Sequence, residues 1–116
     1  MAWLMSGRSI EQLEQISPQQ LAARLKKDGI RIIDVRIPAE WNKGRIAQAE
    51  QFPLSDILED RFPKAEKDEE LVLQCGSGYR SKIAASILRQ PAYTNAKFLA
   101  GGVFAWSNAG YPLISQ

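Results

Sequence analysis

The sequence predicts an α/β domain built on a parallel sheet. Short runs of β-branched and aliphatic residues alternate with helical patterns along its 116 residues, at the spacing of successive βα units. One such run, Leu71-Val72-Leu73-Gln74, is apolar enough to be buried on both faces, as an interior parallel strand must be. The length suits one domain, with no internal repeat, low-complexity tract or long linker to divide it.

Taken in order, the first helix starts at Ser17-Pro18-Gln19-Gln20. Ser17 caps it, Pro18 takes the first helical position and Gln20 completes a capping box. Leu21, Ala22 and Leu25 form its apolar face, and Gly29 stops it. Ile30 to Val35 reads as a strand. Pro38 to Lys43 reads as a short helix ended by Gly44, and Ala47 to Phe52 as a strand stopped by Pro53. Ser55 is placed as the cap of a helix running through Ile57, Leu58 and Arg61, closed by Pro63. Lys64 to Glu70 carries six charges in seven residues and reads as a solvated loop. After the Leu71–Gln74 strand, Cys75 to Gly78 breaks the pattern. A helix then runs from Arg80 to Arg89 with Ile83, Ala84, Ile87 and Leu88 on its core face. Lys97 to Leu99 is the last strand. Gly101-Gly102 turns the chain into a helix over Val103–Ala109, terminated by Gly110 and Pro112.

Composition removes several functions. With no histidine and one cysteine there is no zinc finger, His-assisted triad, CxxC pair or internal disulfide. Fifteen basic against thirteen acidic residues leave +2, no electrostatic footprint for nucleic acid. No apolar run approaches the ~20 residues of a membrane span, and Met1 to Met5 is too short for a signal sequence. No motif for a metal or organic cofactor is present. The default expectation is a cytoplasmic, reducing compartment.

The junction Gln74-Cys75-Gly76-Ser77-Gly78-Tyr79-Arg80-Ser81 carries the chemistry. A strand feeds a loop that opens with Cys and closes with Arg, and a helix follows. Ligands of open α/β sheets bind at such carboxyl ends. Backbone N–H groups of a Gly-containing loop form an anion nest, the helix adds its positive end, and Arg80 adds a planar donor fork. These dipoles favour a thiolate, so Cys75 reads as a nucleophile activated by field rather than by a general base. The bland alternative, an inert core cysteine, fits the surrounding glycines and arginine poorly.

At these residues the sequence resembles the rhodanese family of single-domain sulfurtransferases. Ile32-Ile33-Asp34-Val35-Arg36 with Pro38, Glu40, Trp41, Gly44 and Ile46 is similar to the family's first signature. Cys75 to Ser81 fits its Cys-x-x-Gly-x-x-Ser loop, and Leu99-Ala100-Gly101-Gly102 with Trp106 and Gly110-Tyr111-Pro112 its closing signature. The resemblance implies a five-stranded parallel sheet flanked by helices on both faces, with residues 1–14 as an N-terminal extension and 15–116 as the domain. It implies that the Cys75 thiolate takes the outer sulfur of thiosulfate or a similar small anionic donor. The persulfide then passes that sulfur to cyanide, a thiol or a protein. Backbone N–H groups from Gly76, Ser77, Gly78, Tyr79, Arg80 and Ser81 hold the persulfide and departing anion, and Arg80 attracts the donor. Phosphatase relatives use Cys-x5-Arg, whereas Cys75 and Arg80 are Cys-x4-Arg, which disfavours phosphate chemistry. Gly44-Arg45-Ile46 departs from the family's frequent Gly-His-Ile; Arg45 is expected to be exposed.

Asp34 and Arg36 lie at the same end of a parallel sheet. Either Arg36 helps to hold an anionic donor, or Asp34 accepts backbone N–H groups while Arg36 pairs with Glu40; the second reading is preferred. Trp41 and Trp106 read as core. A second function class uses the same Cys75: a carrier or docking module loaded by a partner desulfurase, with Lys64–Glu70 and the residues before Ile16 as docking surfaces.

Overall fold

The computed structural model describes residues 14–27, 29–66, 69–89, 93 and 95–115. Most of the N-terminal extension, and Lys67 and Asp68 of the charged run, lie outside the described residues. Strands β1 (Gln15–Ile16), β2 (Ile30–Asp34), β3 (Ala49–Gln51), β4 (Glu70–Gln74) and β5 (Ala96–Leu99) alternate with helices α1 (Pro18–Leu25), α2 (Pro38–Lys43), α3 (Leu54–Leu58), α4 (Tyr79–Arg89) and α5 (Gly102–Asn108). The sheet order is β1-β5-β4-β2-β3, with every neighbouring pair parallel.

Such a sheet needs cover on both faces, and strand alternation supplies it. Ile33, Leu73 and Phe98 share one register row and pack with Ile57 of α3 and Ala84, Ala85 and Leu88 of α4. Ile32, Val72 and Leu99 turn the other way, toward Leu21 of α1 and Trp106 of α5. Among the described residues no helix is long and apolar enough to cross a membrane.

The capping box of α1 is present: Gln20 N–H donates to Ser17 Oγ at 3.1 Å, and Ser17 N–H donates to Gln20 Oε1 at 2.9 Å. Other expectations need correction. β1 escaped sequence reading because two residues carry no periodicity; it is held where Phe98 N–H meets Glu14 O and Ala100 N–H meets Ile16 O. Helix α3 is shorter than expected and is not capped by Ser55, which lies inside it behind Pro53. It stops in a Schellman turn. Asp60, at φ 65°, donates to Ile57 O, and Arg61 N–H reaches Asp56 O. The left-handed position is occupied by Asp instead of Gly, so the stop was not legible.

Glu70 leaves the solvated run to open β4, where it is buried between Arg24 and Lys97. Arg45 is buried rather than exposed. Its guanidinium stacks on Trp41 at 4.5 Å, and its backbone bridges to Ile114. Trp106 is core as expected, with Nε1–H donating to Pro112 O, while Trp41 is half-buried.

Candidate active site

Cys75 follows the last residue of β4, the strand between β5 and β2, and is 0% exposed. Its sulfur is ringed by the chain that comes after it. Gly78 N–H points at Sγ from 3.1 Å and Ser81 N–H from 3.4 Å, while the thiol lies 3.6 Å from Ser81 Oγ as a donor. Ser81 Oγ in turn donates to Gly78 O at 3.1 Å. Gly78 closes this ring at φ +105°, a conformation that favours glycine, with the Gly101 backbone against it. The residue before α4 and the third residue of its first turn thus each point a backbone N–H at the sulfur, an arrangement that stabilises negative charge there.

The floor of the loop comes from α5. Val103 N–H donates to Cys75 O at 2.7 Å and Phe104 N–H to Gly76 O at 3.0 Å. Gly102 makes that approach possible, because a Cβ there would stand 2.3 Å from Cys75 O and 2.7 Å from Gly76 O. The closing Gly-Gly, read from sequence as a turn and as part of the closing signature, is the seat of the Cys75 loop.

Gly76, Gly78 and Ser81 are buried, whereas Ser77 and Tyr79 face outward. Arg80 is half-buried and paired: its two terminal nitrogens donate to Glu40 at 2.6 and 2.9 Å. That hydrogen-bonded pairing holds the Glu40 carboxyl below the ordinary carboxylate range and raises Arg80 above its own. The expected Arg36–Glu40 pair does not form. Arg36 turns back on Asp34, donating to both carboxylate oxygens, and also reaches Gly44 O at 2.7 Å. Asp34 does accept a backbone N–H, that of Arg36. This buried pair stitches the end of β2 to the end of α2 beside the loop. The sequence offered Glu40 as a signature residue and as the partner of Arg36; its actual partner forty positions away leaves no local trace.

The model of the rhodanese-like domain matches residues 17–109. A sulfurtransferase of Allochromatium vinosum is 33% identical over 89% of this chain and 96% of its own. The probable adenylyltransferase/sulfurtransferase MoeZ of Mycobacterium tuberculosis is 32% identical over 84% of this chain but only 25% of its own length. Among solved structures, a rhodanese-related protein from Thermoplasma volcanium superposes with a TM-score of 0.79 at 29% identity, covering 89% of this chain and 99% of that one. A thiosulfate sulfurtransferase from Pseudomonas aeruginosa gives 0.76 at 28% identity, over 90% of this chain and 20% of that one.

Proposed function

Since the chain belongs to the family of rhodanese-like domains, we propose that it is a sulfurtransferase working through a Cys75 persulfide in the reducing cytoplasm. The observation that carries this is the sulfur itself, held at a strand end under the N–H groups of Gly78 and Ser81. In the first half-reaction the thiolate attacks the outer sulfur of thiosulfate or a similar donor. A new S–S bond forms to Sγ, the donor's S–S bond breaks, and its electron pair leaves with sulfite. In the second, cyanide, a thiol or a protein nucleophile takes the outer sulfur, and the thiolate returns. The loop N–H groups stabilise the anionic sulfur in both halves, and Arg80 adds a donor fork at the rim.

Thiosulfate-dependent conversion of cyanide to thiocyanate tests this. Wild type is expected to turn over with ping-pong kinetics and Cys75→Ser to show none; equal turnover by Cys75→Ser sinks the reading. A second reading, a carrier loaded by a protein partner, is favoured by the relatives in which the matching region is about a quarter of a longer adenylyltransferase/sulfurtransferase. Rapid loading from a desulfurase with negligible thiosulfate turnover would select it.

A further inference from the structure

The full positive charge at the catalytic loop does not stand free. Arg80 and Glu40 form a bidentate pair that joins α2 to the start of α4. Glu40 is itself fixed, because its Oε1 also accepts Ile37 N–H at 3.3 Å across the first turn of α2. The other arginine at this end, Arg36, is buried and occupied by Asp34 and the Gly44 carbonyl. Both arginine charges near Cys75 are thus compensated.

Beside the loop, Lys82 lays its Nζ over the Phe98 ring at 5.2 Å, and large apolar side chains are exposed. Ile37 is 55% exposed, Tyr79 71% and Phe104 67%. A Cβ placed on Gly76 would lie 3.4 Å from Arg80 Nη2 and 3.8 Å from the Phe104 ring, so ring and guanidinium flank the loop together. A dianion such as thiosulfate arriving here must share Arg80 with a carboxylate already bound to it. The persulfide group of an uncharged thiol carrier brings at most one charge, and its carbon skeleton has Ile37 and Phe104 to lie against.

We propose that Glu40 is a specificity-determining residue: by occupying Arg80 it sets the site against free dianionic donors and toward persulfide sulfur carried on a thiol. This rests on the persulfide reading of Cys75. The loading step needs no added oxidant or reductant. The Cys75 thiolate attacks the outer sulfur of R–S–S⁻, the new S–S bond forms, the donor's S–S bond breaks, and its electron pair leaves with RS⁻.

The test compares persulfide formation in wild type and Glu40→Gln with two donors, thiosulfate and the persulfide of 2-mercaptoethanol, whose carrier is uncharged. The ratio of kcat/KM for thiosulfate over the organic persulfide is expected to rise about tenfold in Glu40→Gln, as for one unit charge near a partly exposed site. A purely structural Glu40 would lower both constants and leave the ratio alone. An unchanged or lower ratio in a folded Glu40→Gln protein therefore overturns the proposal. Should that variant not fold, wild type decides. Its thiosulfate rate is expected to change less than about twofold between about 0.01 and 0.15 M ionic strength, and a steep fall would show an open positive charge. If neither donor adds sulfur to wild type or variant, the persulfide reading itself fails, an outcome distinct from an unmoved ratio.

Discussion

A sulfur atom at the end of a strand takes its chemistry from the groups that donate to it. Here those groups are two backbone N–H groups, while the Ser81 hydroxyl bridges Sγ to the Gly78 carbonyl. Removing the hydroxyl leaves both N–H donors in place but unpins Gly78. Ser81→Ala is therefore expected to lower kcat by about tenfold, less than the ~100-fold or more lost with a principal oxyanion donor. Steady-state kinetics with thiosulfate measure it, and an unchanged kcat would show that the hydroxyl does not hold the loop. The Cys75–Ser81 ring was legible in the sequence because all its members are local. Glu40 was not, and neither was the turn of Arg36 onto Asp34, because spacing along a helix cannot rank a partner four residues away against one two residues away or on another element.

Among the elements, the contact between α5 and the Cys75 loop matters most. Gly102 sits at φ +61° with two carbonyls of the loop where a side chain would go. Gly102→Ala must push Cys75 and Gly76 away, at a cost of about 2–4 kcal/mol from strained backbone and displaced packing. Denaturant unfolding measures this, and turnover should fall further than the folded fraction does. Wild-type stability in Gly102→Ala would contradict the contact. Helix and strand existence was readable for α1, β2, α2, β3, α3, β4, α4, β5 and α5, where periodicity, caps, glycines and prolines mark them. It failed for β1, too short to have a period, and at the end of α3, where Asp60 stands in a position that glycine usually marks.

At the scale of the molecule, the two ends of the sheet carry opposite designs. The carboxyl end holds the candidate site, with its paired arginines. At the amino end Glu70 is buried beneath α1, bonded to Arg24 and Lys97. Burial pushes its carboxyl up, but the hydrogen bonds from Arg24 and Lys97 outweigh that and hold it below the ordinary carboxylate range. The unfolded chain then takes up the proton first as pH falls. The stabilisation is present above the ordinary glutamate range and is lost as pH drops through the folded value. Glu70→Gln is expected to cost about 2 kcal/mol at pH 7, less than a fully buried pair because Arg24 is 41% exposed. The gap between variant and wild type should close below about pH 4. Melting curves across pH test this, and a pH-independent gap would contradict the ion triad. The parallel sheet, its cover on both faces and the placing of Cys75 at its carboxyl end were all legible beforehand. Glu70 was not, because a charged run looks solvated until a strand register draws its last member inside.

The central claim is that Cys75 carries sulfur, and intact-protein mass spectrometry tests it most directly. After incubation with thiosulfate, wild type is expected to gain the mass of one sulfur atom, which cyanide then removes, while Cys75→Ser gains nothing. A sulfur gained equally by Cys75→Ser, or none gained by wild type from thiosulfate, an organic persulfide or a desulfurase, would contradict it.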